Sequence, residues 1–402
     1  MQRQIKNVCI QNKPHKFSMG SLDFETGDLR IEKDRPMNSV TTFKIGGPAR
    51  YYIEIETIPE LEEALHFAEN LRLPILIMGG GSNMLVSDLG FAGVVIHVNP
   101  VFIDFWTEDE TTFFIRPKAG ELWDDVVRFA VREHLWGIEN LSRIPGETGA
   151  FVVQNVGAYG VEAKDVVERV HAYDRVEKRM KTLTNAECRF GYRSSIFNTT
   201  EKGRYVVFSI VLKLSTIPKP RLNYPDLQRR FSDNAYPKLE EVRQAIIEIR
   251  DAKFPYPPES IEGNAGSFFK NIVLTELEYE TLDGMFATHL PEHLGKLRQI
   301  RHKFPLASGI KIPGAFILEA CGLKGFRMGD AMLNPAQPVV VLNASGNAKA
   351  SEILELVQET RRVVQEKTGL HLLTEPELIG FSSEELRLYG FNAEEIGRYT
   401  RL

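Results

Sequence analysis

The sequence predicts an α+β protein of several domains, because segments with the period of a strand alternate with segments with the period of a helix. Residues 50–56 place apolar and polar side chains alternately, as a strand in a sheet does. Pro59 then opens a helix whose apolar residues share one face, namely Leu61, Ala64, Leu65 and Ala68. A chain of 402 residues is long enough for roughly two or three domains of about 150 residues each.

A glycine turn follows the next predicted strand. The apolar run Ile75–Met78 ends in small and polar residues: Gly79, Gly80, Gly81, Ser82 and Asn83. Glycines permit positive φ and let backbone N–H groups converge on an anion, so a pyrophosphate is the expected guest. The spacing differs from the G-x-G-x-x-G fingerprint, which disfavours a Rossmann fold. For these residues alone, a plain tight turn is an equally good interpretation.

A second unit follows, in which a strand near 113–116 precedes a helix with Leu122, Val126, Phe129 and Ala130 on one face. The stretch 142–160 comes next and is too irregular for a helix. It contains Ile144, Pro145 and Gly146, and then Gln154, Asn155, Gly157, Ala158, Tyr159 and Gly160. So many small residues indicate backbone packed against a flat ligand, with the amides at Gln154 and Asn155 bonding a heteroaromatic edge. An Ω-loop is the alternative, but two glycine regions together favour a large, flat, phosphorylated cofactor.

The rest of the chain continues the α+β pattern. Two strands, one helix and a proline-rich linker are expected in that order, near 170–173, 205–214, 239–249 and 254–258. A further helix runs through Ile353, Leu356, Val357 and Val364. Residues 1–37 are expected outside the main fold as an irregular extension, and residues 382–402 are expected to form a charged, partly amphipathic tail.

Composition and charge exclude several classes of function. A net charge of −5 gives no general attraction for nucleic acid or an anionic membrane. No apolar run approaches the roughly 18 residues of a membrane span, and the first residues lack a secretory signal. Cys9, Cys188 and Cys321 are widely spaced, which argues against disulfides and for a reducing compartment. We therefore expect a cytoplasmic protein, and the nine histidines form no spacing that predicts a metal site.

Seven motifs occur in order along the chain. They are Thr42–Ala49, Gly79–Asn83, Ile144–Gly146, Gln154–Gly160, Gly191–Phe197, Gly263–Asn271 and Glu375–Glu377. This series resembles the UDP-N-acetylenolpyruvoylglucosamine reductase family. The resemblance covers residues 39–380, nearly the whole chain apart from both ends, and it is specific because it rests on several motifs rather than one.

The resemblance implies an FAD-binding region of the vanillyl-alcohol-oxidase type in two subdomains, followed by an α+β substrate-binding domain. The subdomains would span 38–101 and 102–254, with 375–381 completing the first, and the substrate domain would span 255–374. NADPH would reduce the FAD, and UDP-N-acetylglucosamine enolpyruvate, a small-molecule substrate, would then accept the hydride. The oligomeric state cannot be read from the sequence.

One subtype of the family carries a tyrosine on a loop that closes over the substrate, and Leu222–Leu227 looks like that loop. Tyr224 would then contact the UDP portion, although a surface turn is the alternative. The motif matches place further residues around the sugar nucleotide, namely Tyr192, Lys253, Asn271 and Gln337. Lys270 is an alternative to Lys253 as the lysine near phosphate.

The implied reaction adds hydride to the β-carbon of an enol ether and a proton to its α-carbon, while charge accumulates on the adjoining carboxylate. Arg193 fits the role of a fixed cation there, because a guanidinium stays charged and presents a bidentate fork. Glu375, protonated beside that carboxylate, would hydrogen-bond the developing charge. Ser267 would deliver the proton. Taken without the resemblance, these three residues would be a structural ion pair, a strand end and a turn.

Three residues depart from the family pattern in the loop expected near the flavin: Glu147, Phe151 and Val152.

Two other functions fit part of the pattern. An oxidase acting on an alcohol would share the flavin fold, but the Ser267 and Glu375 motifs argue against it. No histidine stands in either glycine region for covalent flavin attachment. A silent sensor would bind cofactor or sugar nucleotide without turnover and would not need catalytic residues. The presence of Arg193, Ser267 and Glu375 together therefore favours an enzyme.

Overall fold

The computed structural model of the protein describes residues 24–26, 29–253, 256, 259–303 and 309–399, which form three successive regions. The first contains β1 Phe24–Thr26, β2 Leu29–Pro36, β3 Pro48–Ile55, α1 Ile58–Asn70, β4 Ile75–Met78, β5 Met84–Val86 and β6 Phe91–Val98. The second contains β7 Ile103–Thr107, β8 Thr112–Pro117, α2 Trp123–Arg132, α3 Thr148–Phe151, β9 Gly157–Ala158, β10 Val161–Glu162, β11 Val167–Asp174, β12 Arg179–Thr184, β13 Tyr205–Ser215, α4 Pro225–Arg230 and α5 Leu239–Asp251.

The third region completes the chain and contains most of the helices. Its elements are β14 Gly263–Ser267, β15 Ile272–Leu274, α6 Glu276–His289, α7 Pro291–Lys303, β16 Ile310–Ile312, α8 Gly314–Ala320, β17 Arg327–Met328, β18 Ala331–Leu333, β19 Val340–Asn343, α9 Ala350–Thr368, β20 Glu377–Ile379, α10 Ser383–Leu388 and α11 Ala393–Tyr399. The mixture of helices and strands confirms the predicted α+β class.

The first region is a five-stranded sheet in the order β1-β2-β3-β6-β4. β3, β6 and β4 run parallel, and α1 connects β3 to β4. α1 begins at a capping box: the Thr57 hydroxyl accepts from Glu60 N at 3.3 Å, and the Glu60 carboxylate accepts from Thr57 N at 3.0 Å. The apolar face of α1 is buried against the sheet as predicted. The βαβ-like unit is therefore confirmed, with β6 inserted between its two strands.

The prediction that the N-terminal extension lies outside the main fold is wrong for residues 29–36. β2 pairs antiparallel with β3, with Ile31 opposite Ile53. Leu29 and Ile31 are buried in the same core as the apolar face of α1. The charged residues between them and after them obscure the strand period in the sequence. This segment is therefore a strand of the first sheet.

The second region is an antiparallel sheet in the order β12-β11-β13-β8-β7, covered by α2 and α5. Two predictions need correction here. Leu122 does not face the core, because it is the N-cap residue of α2 and is 54% exposed; Trp123 is buried in its place. The glycine-rich stretch also contains the short helix α3, whose Phe151 ring stacks on Trp123 with centroids 3.6 Å apart.

The third region packs its helices on the four-stranded sheet β14-β19-β18-β17. The predicted apolar residues of α9 are all buried. Residues 382–399, expected as a tail, instead form α10 and α11, whose Leu386 and Tyr399 join the same core. The buried Arg361 of α9 pairs with Glu395 of α11 at 2.5 Å, which holds these helices in place. Alternating charges in the sequence obscured this packing.

Contacts from the later part of the third region reach the first region. β20 pairs parallel with β5, with Leu378 opposite Leu85. The Asp88 carboxylate, just after β5, accepts from Ala350 N at 2.7 Å and so caps the first turn of α9. Because the chain leaves the first region after β6 and returns at β20, the first region is built from two distant segments of the chain.

Strand β14 also lies directly on the first region. Asn264 N donates to Thr42 O at 3.1 Å, and the Thr42 hydroxyl donates to Asn264 O at 2.8 Å. A Cβ on Gly263 would lie 2.0 Å from Phe43 O, so only glycine allows this approach. The end of β14, where Ser267 stands, is thereby fixed relative to the glycine turn of the first region.

Some predicted features are only partly covered by the structure. The linker at 254–258 lies outside the described residues apart from Tyr256, and Cys9 also lies outside them. Cys188 and Cys321 are buried free thiols. Across the described ranges, no helix is long and apolar enough to cross a bilayer. Those ranges also contain no group of three or more histidine, cysteine or carboxylate side chains placed to hold a metal.

Candidate active site

Two cavities meet where the three regions come together. The larger has a volume of about 800 Å³ and lies between the second and third regions. The smaller has a volume of about 260 Å³ and lies between the first and second. Residues from both predicted glycine regions line both cavities: Ser82, Asn83, Ile144, Pro145, Gln154 and Val156. The glycine regions therefore form the boundary between the two spaces.

The glycine turn presents unpaired backbone donors. Gly80 lies so close to Gly146 that a Cβ on Gly80 would be 3.2 Å from the Gly146 Cα. Gly81 has a φ of +59°, which side chains rarely adopt. Among the described residues, no backbone acceptor receives the N–H groups of Gly80, Gly81, Ser82 or Asn83. Converging free N–H groups of this kind suit the pyrophosphate of a cofactor such as FAD.

Hydrogen bonds join the turn to its neighbours. Asn83 Nδ2 donates to Gln154 Oε1 at 2.9 Å, which links the two glycine regions directly. Thr42 N donates to Gly81 O at 3.2 Å, which adds the first motif. The walls of the smaller cavity are mostly apolar and include Ile75, Ile77, Met78, Trp123, Phe151 and Val207. A flat, partly apolar group with a phosphate end fits this donor set and these walls.

The remaining predicted cofactor residues differ in position. Gly79 lines the smaller cavity, while Gly157, Ala158 and Tyr159 line the larger. Of the three residues that depart from the family pattern, Glu147 and Phe151 line the smaller cavity. Val152 is instead fully buried in the core of the second region.

The structure gives Asn155 a structural position instead of a ligand-facing one. Its side-chain amide donates to Glu162 Oε2 at 3.0 Å and to Gly191 O at 2.8 Å. Its carbonyl oxygen accepts from Lys164 N at 2.9 Å. Asn155 is 1% exposed and lines neither cavity. The prediction that its side chain bonds a cofactor is therefore not supported, and the residue instead holds the Gly191 turn in place.

Arg193 and Glu375 meet in the larger cavity, with Arg193 Nε 2.8 Å from Glu375 Oε1. The Nε–H is not aligned with the carboxylate, so the contact is an ion pair without a good hydrogen bond. Arg193 Nη2 also donates to Gly157 O at 3.4 Å. Burial lowers the pKa of the Arg193 guanidinium, but Glu375, Tyr192 and Glu162 together outweigh burial and leave that pKa above its ordinary value.

The backbone at Arg193 is unusual. Its φ is +52°, in a tight turn where Gly191 N donates to Ser194 O at 2.9 Å. A non-glycine residue in this conformation costs on the order of 1–3 kcal/mol and persists only where its surroundings fix it. Such strain is common at functional sites, and here it aims the guanidinium at the third region.

Ser267 lines the same cavity at the end of β14. A β-bulge separates it from Asn264 and turns the end of the strand, as bulges beside active sites do. Gly266 before it has a φ of +70°, and a Cβ there would meet no atom within 4 Å, so the approach to Ser267 is open. Glu375 N donates to Phe268 O at 2.9 Å, which places the Glu375 backbone beside that of Ser267.

The predicted substrate residues line the larger cavity at two places. Tyr192 and Asn271 form one group, in which Asn271 Nδ2 donates to the Tyr192 hydroxyl at 3.2 Å. Tyr224 and Lys253 form the other, where the Tyr224 ring meets the Tyr159 ring edge-on with centroids 5.1 Å apart. Lys253 pairs with Asp226 of the same loop. Gln337 also lines this cavity, whereas Lys270 lines neither cavity, so Lys253 is the better candidate.

Charged residues that the motif reasoning missed also line the larger cavity, including Glu162, Arg250, Lys303 and Lys311. Lys311 Nζ lies 5.0 Å from the centroid of the Tyr192 ring. Burial first, and then the charge of Arg193, lower the pKa of Lys311. A weak signal exists in the sequence, because Lys311 alternates with the buried Ile310 and Ile312 and so must face away from the core.

We expect Gly146→Ala to weaken FAD binding by at least about tenfold. A Cβ there would lie 2.4 Å from Ser82 Oγ, and the φ of +109° is unfavourable for alanine. The new methyl group would displace the Ser82 hydroxyl and crowd the Ser82 Cβ, 3.2 Å away, and so disturb the N–H cradle. Titration of the apoprotein with FAD, followed by flavin fluorescence, measures the dissociation constant.

Gly390→Ala is the matched control for this variant. Gly390 also has a positive φ, but a Cβ there meets no atom within 4 Å. The control separates the cost of the backbone conformation from the collision with Ser82. An unchanged FAD dissociation constant in Gly146→Ala would mean that this contact does not shape the cofactor site.

Comparison with protein families gives two matches along the chain. Residues 49–182 match a model described as an FAD binding domain. Residues 257–379 match a model described as the C-terminal domain of UDP-N-acetylenolpyruvoylglucosamine reductase. Both glycine regions lie within the first match, and the segment that carries Ser267 and Glu375 lies within the second.

Individual relatives cover most of the chain. The UDP-N-acetylenolpyruvoylglucosamine reductase of Neisseria meningitidis serogroup A is 37% identical over 339 residues, covering 83% of this chain and 93% of the relative. That of Flavobacterium johnsoniae is 34% identical over 354 residues, covering 87% and 100%. The crystal structure of the Thermus caldophilus reductase aligns with a TM-score of 0.59 at 25% identity, covering 87% of this chain and 99% of that one.

Proposed function

Because this chain belongs to the UDP-N-acetylenolpyruvoylglucosamine reductase family, we propose that its two cavities are the cofactor and sugar-nucleotide parts of one active site. The protein is an FAD-dependent oxidoreductase of peptidoglycan precursor synthesis. It uses NADPH to reduce UDP-N-acetylglucosamine enolpyruvate to UDP-N-acetylmuramate. Its FAD-binding region is of the vanillyl-alcohol-oxidase type and precedes an α+β substrate domain. Bound FAD supplies the hydride carrier, and the residues of the chain supply binding, orientation and the proton.

The observation that carries the proposal is the meeting of Ser267, Arg193 and Glu375 at the cavity that adjoins the glycine cradle. The Arg193–Glu375 ion pair spans the second and third regions. Arg193 would bind the substrate carboxylate, because part of its guanidinium group does not contact Glu375. In its acid form, Glu375 would then face the same carboxylate from its other side and donate a hydrogen bond to the charge that develops there.

Ser267 is proposed as the proton donor to the α-carbon. Its hydroxyl is half-buried, and the backbone before it leaves open space for a substrate. A hydroxyl is a weak acid, so a charged neighbour or a water chain must support the transfer. The neighbouring Glu375 segment, bonded to Phe268, brings a carboxyl group to this side of the cavity.

The sugar nucleotide is proposed to extend from this centre toward Tyr224 and Lys253. Its diphosphate needs cations, and Lys253, Arg250, Lys303 and Lys311 line that cavity. Tyr192, Asn271 and Gln337 would hold the sugar. The Leu222–Leu227 segment would be the substrate loop, which assigns the chain to the subtype with the tyrosine-bearing loop.

The domain division is proposed from the sheets. The first flavin subdomain would comprise residues 29–101 with 375–381, because β2 pairs with β3 in its sheet. The second would comprise 102–254, and the substrate domain would comprise 255–374 together with α10 and α11, which join its core. The β5–β20 pairing supports the return of the chain to the first. A cytoplasmic location is proposed as well, supported by three widely spaced cysteines.

We expect Tyr224→Ala to raise the KM for the sugar nucleotide roughly tenfold with a smaller change in kcat. Stacking between an aromatic ring and a base is worth about 1–3 kcal/mol, and binding away from the reacting atoms affects KM first. Steady-state kinetics with varied substrate measures both constants. The matched control is Tyr236→Ala, which removes a tyrosine that is 87% exposed in the next loop. A lower kcat with unchanged KM would contradict the binding role.

The reaction itself is tested by an anaerobic absorbance experiment on the purified protein. One equivalent of NADPH should bleach the flavin band, and UDP-N-acetylglucosamine enolpyruvate should restore it. A flavin that stays bleached would direct the search to other acceptors. A protein that cannot be reconstituted with FAD would contradict the assignment and leave a sugar-nucleotide sensor as the better interpretation.

A further inference from the structure

Glu147 is a carboxylate buried against the cofactor cradle. It is one of the departures from the family pattern, and its side chain is 9% exposed. A Cβ on Gly79 would lie 3.3 Å from Glu147 Oε2, and a Cβ on Gly80 would lie 3.3 Å from Glu147 N. Glu147 also lines the smaller cavity. Burial raises the pKa of the Glu147 carboxyl, and the neighbouring His97 opposes burial. A negative charge beside the N–H groups that face an anionic cofactor therefore depends on His97.

His97 compensates this charge from the first sheet. Its Nε2 lies 3.0 Å from both carboxylate oxygens of Glu147, and its Nδ1 lies 2.9 Å from the Tyr52 hydroxyl. The His97 side chain is 12% exposed. In the protonated imidazole, Nε2–H donates to Glu147 and Nδ1–H donates to Tyr52, so both donors are used.

The pair also connects the two halves of the cradle. His97 stands at the end of β6, opposite Met78, the residue before the glycine turn. Glu147 follows Ile144-Pro145-Gly146 on the other half. No other described contact between these segments joins a cation to an anion. A buried carboxylate without its partner is costly, so loss of the proton on His97 would leave Glu147 uncompensated.

We propose that His97 and Glu147 are positioning residues that hold the glycine turn against the Ile144–Gly146 loop, and that tight FAD binding requires the proton on His97. The proposal rests on the FAD use assigned above. It concerns binding, since neither residue lies beside Ser267 or Arg193. The protonated pair is neutral and leaves the N–H cradle free to attract phosphate, whereas the deprotonated pair adds one negative charge beside it.

Other charged groups also affect the protonation of His97. Glu54 Oε1 lies 3.7 Å from His97 Nδ1, from the neighbouring strand β3. Glu32 and Arg35 of β2 act on Tyr52 behind it. Burial lowers the pKa of His97, but Glu147 and Glu54 outweigh burial and raise it to about 9. The charges of Glu32 and Arg35 are opposite in sign and partly cancel, so Glu147 and Glu54 dominate.

The direction in which stability and FAD affinity change with pH follows from the raised pKa of His97. Because the folded pKa lies above the ordinary value of 6.5, the pair stabilises the fold fully below about pH 6.5 and loses that contribution as pH rises through about 9. Bound FAD, being anionic, would raise the pKa of His97 further. The FAD dissociation constant should therefore be constant below about pH 9 and increase by up to about tenfold per pH unit above it.

The test is the FAD dissociation constant of the apoprotein, measured by flavin fluorescence from about pH 6 to about pH 10.5. The wild type should weaken above about pH 9, whereas Glu147→Gln should bind several-fold more weakly at neutral pH and show little further weakening. The control is Glu54→Gln, which removes the carboxylate on the other side of His97. It should keep the neutral-pH affinity and move the onset of weakening to lower pH.

Equal pH profiles for the wild type and Glu147→Gln would overturn the proposal. If Glu147→Gln does not fold, the pH profile of the wild type tests the proposal by itself. A wild-type FAD affinity that stays constant to about pH 10.5 also overturns the proposal. A wild-type protein that binds no FAD at any pH would instead contradict the cofactor assignment. The two failures are therefore distinguishable.

Discussion

Replacement of Ser267 by alanine is expected to slow reoxidation of the flavin by the enolpyruvyl sugar nucleotide about 10²–10⁴-fold, the range typical for loss of a general acid. Flavin reduction by NADPH is expected to stay within about twofold of the wild type, because the proton proposed to come from Ser267 would be needed only in the second half-reaction. Anaerobic stopped-flow absorbance measures the two half-reactions separately.

Two variants make this measurement specific. Ser267→Cys keeps a proton donor at the same place and should recover part of the lost rate. Ser345→Ala, in the turn after β19 and outside both cavities, should behave as the wild type in both half-reactions. Equal slowing of both half-reactions in Ser267→Ala would remove Ser267 from the proton-donor role and indicate a general disturbance of the site.

Replacement of Arg193 by lysine is expected to lower kcat about 10²–10³-fold, as for loss of one donor that stabilises developing charge. Lysine keeps a positive charge near Glu375 but loses the planar fork that also reaches Gly157. Alanine would be a poorer test, because Glu375, whose side chain is 8% exposed, would be left without its cation. Removing one partner of a buried pair costs about 3–5 kcal/mol of stability.

The measurement for Arg193→Lys is kcat and KM for the sugar nucleotide, together with the melting temperature. Arg204→Lys is the matched control, since Arg204 pairs with Asp174 and Glu201 and lies outside both cavities. It should leave kcat unchanged. A wild-type kcat with a raised KM in Arg193→Lys would show that the fork binds the ground state and the transition state equally.

Local periodicity was enough to predict the elements whose partners are adjacent in sequence. β3, α1 and β4 were predicted because their apolar residues recur at the period of the element that forms. The sheet order was not, because β6 enters between β3 and β4 only through long-range pairing. β2 and α11 were missed for a different reason: each is rich in charged residues, and only a few apolar side chains reach the core.

The same contrast between local and long-range signals applies to the residues of the site. The glycine turn was predicted because the residues that determine its backbone conformation and its N–H donors are consecutive in the sequence. The part played by Asn155 was not, since its amide is used by Glu162 and Gly191, and nothing local predicts those partners. Lys311 was missed because a single lysine in a short strand reaches the cavity only once β16 pairs with β15. His97 and Glu147 are 50 residues apart, so neither predicts the other.

The late return of β20 has a consequence for synthesis of the chain on the ribosome. β5, which directly follows the glycine turn, is made long before its partner β20. Until the last part of the chain emerges, β5 presents unpaired backbone groups that can pair with another chain. Glu375 arrives on the same late segment. A chain interrupted before residue 375 therefore lacks both a strand of the cofactor region and the carboxylate proposed to act on the substrate.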